Sequence, residues 1–125
     1  MHNKRPWAAI IALPLLLTLI GCPSVVTTAR DTAAALNGAI VAAQAQHQSQ
    51  CTATPTQAAC VTINKGIDAE NLLITTIQTY CGWSPTVAPA NPTAPCVPVP
   101  SALAALNQAV ANANTIIPEV KAVVQ

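Results

Sequence analysis

The 125-residue sequence contains no phenylalanine, and its aromatic side chains are Trp7, Tyr80 and Trp83. Any core must therefore be aliphatic and rich in alanine, assembled from many small burials rather than from the few large ones that aromatic rings supply. Charge is scarce too: 7% of the residues are charged, against 52% apolar. Beyond position 21, Arg30, Lys65 and Lys121 face Asp31, Asp68, Glu70 and Glu119, a balance of −1. A phosphate backbone is held by several Lys or Arg acting together, so this composition excludes nucleic acid as a partner.

The groups that carry chemistry are as thinly supplied. Beyond position 21 the chain has one histidine, His47, and neither a Gly-rich phosphate loop nor a CxxC pair. A nucleophile needs a base within hydrogen-bond reach. Ser24, Ser49, Ser84 and Ser101 fall at the ends of elements or in loops, where turns and helix caps account for them. Catalytic residues, cofactor and metal are all expected to be none, and the chain reads as a non-enzyme.

What is present is most specific at the start. Residues 1–22 read MHNKRPWAAIIALPLLLTLIGC: basic Lys4 and Arg5, then an uncharged apolar run from Trp7 to Ile20, then a small residue. That is the three-part layout of a secretory signal. The run is about fourteen residues, so at ~1.5 Å per residue it spans roughly 21 Å, short of the ~30 Å hydrocarbon core that a spanning helix must cross. It suits export better than permanent anchoring.

The junction Leu19-Ile20-Gly21-Cys22 resembles the lipobox of bacterial lipoproteins, in which a Leu, a small or branched residue and Gly or Ala precede a modified Cys. The resemblance implies that the Cys22 thiol becomes a diacylglyceryl thioether. It also implies that a dedicated peptidase cuts between Gly21 and Cys22, and that fatty chains such as palmitate then hold the mature protein on a membrane. Each buried methylene contributes about 0.8 kcal/mol, so one chain binds marginally and two or three bind durably. The expected place is the cell envelope, facing the periplasm or the exterior. In the enteric-type sorting rule an Asp after the modified Cys retains a lipoprotein in the inner membrane; Pro23 stands there, which favours the outer one. The resemblance covers the first sixth of the chain and is silent about the domain behind it.

Five cysteines make an odd count for an exported protein. Lipidation of Cys22 leaves Cys51, Cys60, Cys81 and Cys96, an even set in a compartment where disulfides persist. Three connectivities are possible. If the stretch between Cys60 and Cys81 is one helix, its ends lie roughly 30 Å apart, whereas a disulfide needs Cα atoms within about 7 Å. That excludes Cys60–Cys81. An antiparallel hairpin excludes Cys51–Cys81 as well, leaving Cys51–Cys60 and Cys81–Cys96. A rival metal site of His47, Cys51 and Cys60 has neither a CxxC pair nor a second nearby His to support it.

Helical rhythm runs through the rest. Thr28 and Asp31 fit a capping-box pattern, and Val26, Ala29, Ala33, Leu36, Ile40 and Ala43 follow at alternating steps of three and four, the spacing of an apolar seam. His47 continues it, as a partly covered residue at a fraying end. In a second helix the seam is Ile63, Ile67, Glu70, Ile74, Ile77 and Cys81, with Glu70 at its edge, paired or reaching solvent rather than catalytic. Ser101 is a natural cap for a third, whose seam is Leu103, Leu106, Val110, Ala113, Ile117, Val120 and Val124. Pro118 should kink or restart that helix. Between them, CGWSPTVAPANPTAPCVPVP has six prolines and no charge, and reads as a stiff, largely polyproline II strap with Trp83 tucked beneath.

The expected architecture is all-α: a signal helix at 1–21, a lipidated Cys and tether at 22–27, and a small up-down-up three-helix bundle at 28–125 with disulfide-clipped loops. Its helices should cover about 28–50, 61–80 and 101–125, with a Pro-rich loop at 85–100. Two functions fit. One is a structural or protein-interaction module of the envelope, with envelope proteins as partners. The other is a small-ligand or lipid-binding module, which requires a pocket of a few hundred Å³ lined by the seam Leu and Ile residues.

Overall fold

A computed structural model describes residues 24–124; the signal segment, the cut site and Cys22 lie outside the described residues. Three helices, α1 (Val25–Ala53), α2 (Ala58–Cys81) and α3 (Leu103–Val123), run up, down and up, and a 3-10 turn at Pro100–Ala102 leads into α3. Each helix packs on both of the others. The described residues form a small all-α bundle, as the spacing predicts.

The first boundary differs from expectation. Helix α1 starts at Val25, and its cap is Ser24, whose Oγ accepts from the Thr27 backbone N–H at 3.1 Å. Thr28 lies a turn inside the helix. Val25 and Val26 pack against the core, so extending the helix by a turn gains apolar burial, and Ser24 is equally able to cap. The tether expected at 22–27 thus gives way to helix from Val25 onward. At the other ends, α1 reaches Ala53 and α2 begins at Ala58, which leaves a turn of four residues around Pro55. Ser101 is not the cap of α3: Ala102 occupies that place without a side-chain hydrogen bond, and Ser101 sits within the 3-10 turn.

Leu36, Leu73, Ile77, Leu106 and Val120 have no exposed surface, and alanines 29, 43 and 113 are equally enclosed. In α2 the stripe runs through Cys60, Ile63, Gly66, Ala69, Leu73 and Ile77, so Leu73, not Ile74, points inward and Glu70 falls on the flank. A Cβ on Gly66 would stand 2.9 Å from Val120 Cγ2 and 3.3 Å from Ile40 Cγ1; the three helices approach one another closely there because this residue has no side chain. Threonines inside the helices bond back on the preceding turn, as Thr32, Thr62, Thr75 and Thr115 do to the carbonyl four residues earlier. Their hydroxyls therefore need no partner from the core.

Helix α3 does not restart at Pro118 but continues through it. Pro118 and Asn114, whose carbonyl loses its partner to the proline, are both exposed. Water can satisfy that carbonyl on the outer face.

Helix α2 ends in a Schellman motif. Gly82 takes φ 66°, its N–H donates to Thr79 O at 3.2 Å, and Trp83 N–H donates to Gln78 O at 2.9 Å. The strap that follows is more folded than polyproline II. Val87 N–H donates to Ser84 O and Asn91 N–H to Ala88 O, each at 3.1 Å. These bonds close two β-turns with Pro85 and Pro89 in second position. Proline fixes φ at about −65°, the value that this turn position needs, and so the same residues that forbid a helix reverse the chain. Cys81–Cys96 and Cys51–Cys60 are bonded, with Cα atoms 4.4 and 5.4 Å apart, in the pairing the geometry selects.

Candidate functional site

Among the described residues, one concavity lies toward each end of the bundle. The larger, about 640 Å³, lies where α1 and α2 meet the folded strap, between Thr27, Arg30 and Asn37 on α1, Glu70 and Ile74 on α2, and Ala88 to Ala90. Its walls follow from local structure. Pro89 is buried, Arg30 Nη2 donates to Ala90 O at 3.2 Å, and Gln78 Nε2 donates to Pro85 O at 3.1 Å and Val87 O at 2.9 Å. The two turns are thereby pinned to the helices.

Across the floor, Asn37 Nδ2 donates to Glu70 Oε1 at 2.8 Å. Glu70 is therefore engaged at the flank of the seam and ties α1 to α2. With Arg30, Asp31 and Glu70 at its rim the groove carries both signs of charge, and its alanines and Ile74 supply an apolar wall. It offers charge-assisted hydrogen bonds beside an apolar face.

The smaller concavity, about 400 Å³, lies near the α1–α2 turn and includes His47, Gln48, Cys51, Cys60, Ile63 and Asn64. His47 is half-buried. Its Nε2–H donates to Val123 O at 2.8 Å, and Nδ1 meets Gln50 Oε1 at 3.0 Å. The carbonyl can only accept, so Nε2 carries a proton; Gln50 offers its amide oxygen to the cationic ring and, turned over, its NH2 to the neutral one. The Gln50 bond and then the Val123 carbonyl hold the His47 pKa above the ordinary histidine value, against a smaller opposing effect of desolvation. His47 thus ties the end of α1 to the last turn of α3, where a cation also meets the negative end of the helix dipole. Spacing alone placed it at a fraying end, since a carbonyl 76 residues away leaves no mark in local sequence.

The rival metal reading loses two ligands, because the sulfurs of Cys51 and Cys60 are bonded to each other. The pocket required by the ligand-binding reading was to be lined by seam residues. Of the seam Leu and Ile residues the concavities reach Ile63 and Ile74, and they are otherwise bounded by polar and small side chains. Among the described residues no helix is long and apolar enough to cross a membrane. No protein-family model, curated protein or solved structure matches the chain.

Proposed function

We propose that the chain is exported, acylated on Cys22 and cut after Gly21, and that the bundle behind it is a non-catalytic structural or protein-interaction module of the cell envelope. The observation that carries the reading is Leu19-Ile20-Gly21-Cys22 directly after a basic start and an uncharged apolar run. The disulfides support it, because they engage four of the five cysteines and leave Cys22 as the thiol for lipid. Intact mass of the membrane-extracted protein, with and without reductant, tests it. The expected mass begins at Cys22, carries two or three acyl chains, and gains about four hydrogens on reduction of two bridges. Cys22→Ser should abolish both the acyl mass and the cut after Gly21, leaving a precursor that keeps residues 1–21. A variant processed and retained as the parent is would overturn the reading.

The second reading, a small-ligand or lipid-binding envelope lipoprotein, draws on the larger groove, whose volume of about 640 Å³ is in the range of small-molecule sites. Native mass spectrometry of the extracted protein separates the two. A stoichiometric small-molecule adduct, lost when Arg30 and Glu70 are both replaced by alanine, would favour the ligand-binding module.

A further inference from the structure

We propose that the strap end of the bundle, Gly82 to Val99, is seated on the lipid surface, with Trp83 and Val97 in the interfacial layer. The proposal rests on acylation of Cys22. Only Pro23 and Ser24 separate Cys22 from the first helical residue, so the Cα atoms of Cys22 and Val25 are at most about 11 Å apart. The start of α1 is therefore held close to the bilayer. In an up-down-up bundle the end of α2 and the start of α3 share that end, and the Arg30 bond to Ala90 places the strap beside the first turns of α1.

The composition of this end fits its position. From Asn71 through Pro118 no residue is charged, and the charges beside the strap are Arg30, held to Ala90 O, and Asp31 on the first turns of α1. Lys65, Asp68, Glu119 and Lys121 belong to the opposite half, where Lys65 Nζ and Glu119 Oε2 pair at 3.0 Å. Tyr80 and Trp83, the aromatic residues that remain after cleavage, are both here, and such side chains concentrate at membrane–water boundaries. Val97 is the most exposed large apolar residue among the described ones, at 66%.

Part of the strap backbone withholds its N–H groups from the surface, which lowers the cost of poor hydration. Five of its residues, Pro85, Pro89, Pro92, Pro95 and Pro98, have no N–H. Val97 N–H and Val99 N–H donate to Cys81 O and Tyr80 O, and the Trp83 indole N–H donates to Pro95 O at 3.0 Å.

The test uses the mature lipoprotein in vesicles of phosphatidylcholine and phosphatidylglycerol brominated along the acyl chains, with the acyl mass confirmed first. Trp83 is then the one tryptophan. Its emission should fall at least about twofold relative to unbrominated vesicles, as expected for a group within 5–10 Å of the acyl boundary. In a Trp83→Tyr, Thr56→Trp variant the reporter sits at the far turn, more than about 30 Å away along the helices, and emission should not change. Acylated protein whose Trp83 is unquenched would overturn the orientation while leaving the anchor intact, and would leave the strap to a protein partner. Equal quenching of both reporters would overturn it too, because the bundle would then lie on its side. Protein without acyl mass would overturn the anchor, and the orientation with it.

Discussion

Three glycines in three settings make the clearest test at the residue scale. A Cβ at Gly38 meets nothing within 4 Å, so Gly38→Ala should stabilise by about 1 kcal/mol through helix propensity alone. Gly82 has room for a Cβ, but its φ is 66°, and Gly82→Ala should cost about 1–2 kcal/mol in backbone strain. Gly66 faces Val120 and Ile40; overpacking by about 1–3 kcal/mol, offset by about 1 of propensity, makes Gly66→Ala destabilising by roughly 1 kcal/mol. Urea unfolding should place Gly38→Ala above the parent, Gly66→Ala about 1 kcal/mol below it and Gly82→Ala at or below Gly66→Ala. His47 adds a pH dependence. Its folded pKa is raised, so its stabilisation is fully present below the unfolded value near 6.5 and is lost as pH rises through the higher folded value. Thermal melting should therefore fall slightly from pH 5 to pH 8, and His47→Gln should flatten that part of the profile.

At the scale of elements, the number, direction and approximate spans of the helices are legible in the sequence, because steps of three and four mark an apolar seam even in an alanine-rich chain. The centre line of each seam is less legible. Counting large apolar residues leads through Glu70 and Ile74 in α2, whereas the buried stripe passes through Gly66, Ala69 and Leu73. The residues that let helices approach closely are the ones that a count of hydrophobic side chains passes over. Helix α3 shows the same shift, with Ala109 and Ile116 enclosed more fully than Val110 and Ile117. The conformation of the strap is not legible locally, because a proline is compatible both with an extended chain and with the second position of a turn. Which one forms depends on Gln78 and Arg30, whose hydrogen bonds to the turns span 7 to 60 residues of sequence. The groove was illegible for the same reason, since it exists only once the strap folds back.

On the scale of the whole molecule, the two disulfides close each inter-helix connection at its own end of the bundle. Replacing either pair by alanine should cost about 3 kcal/mol, and at 4–8 °C per kcal/mol for a domain of this size the melting temperature should drop by roughly 12–24 °C. Circular dichroism during heating measures both losses. The pairing has a further effect on biogenesis. Each cysteine of the domain is bonded to its immediate neighbour in the chain, 9 or 15 residues away. A polypeptide that emerges amino terminus first presents Cys51 with Cys60 before Cys81 is available, and Cys81 then finds only Cys96. Oxidation in order of appearance therefore produces the native cross-links directly, and the maturing chain should require an oxidant but little help from an isomerase that reshuffles wrong bonds.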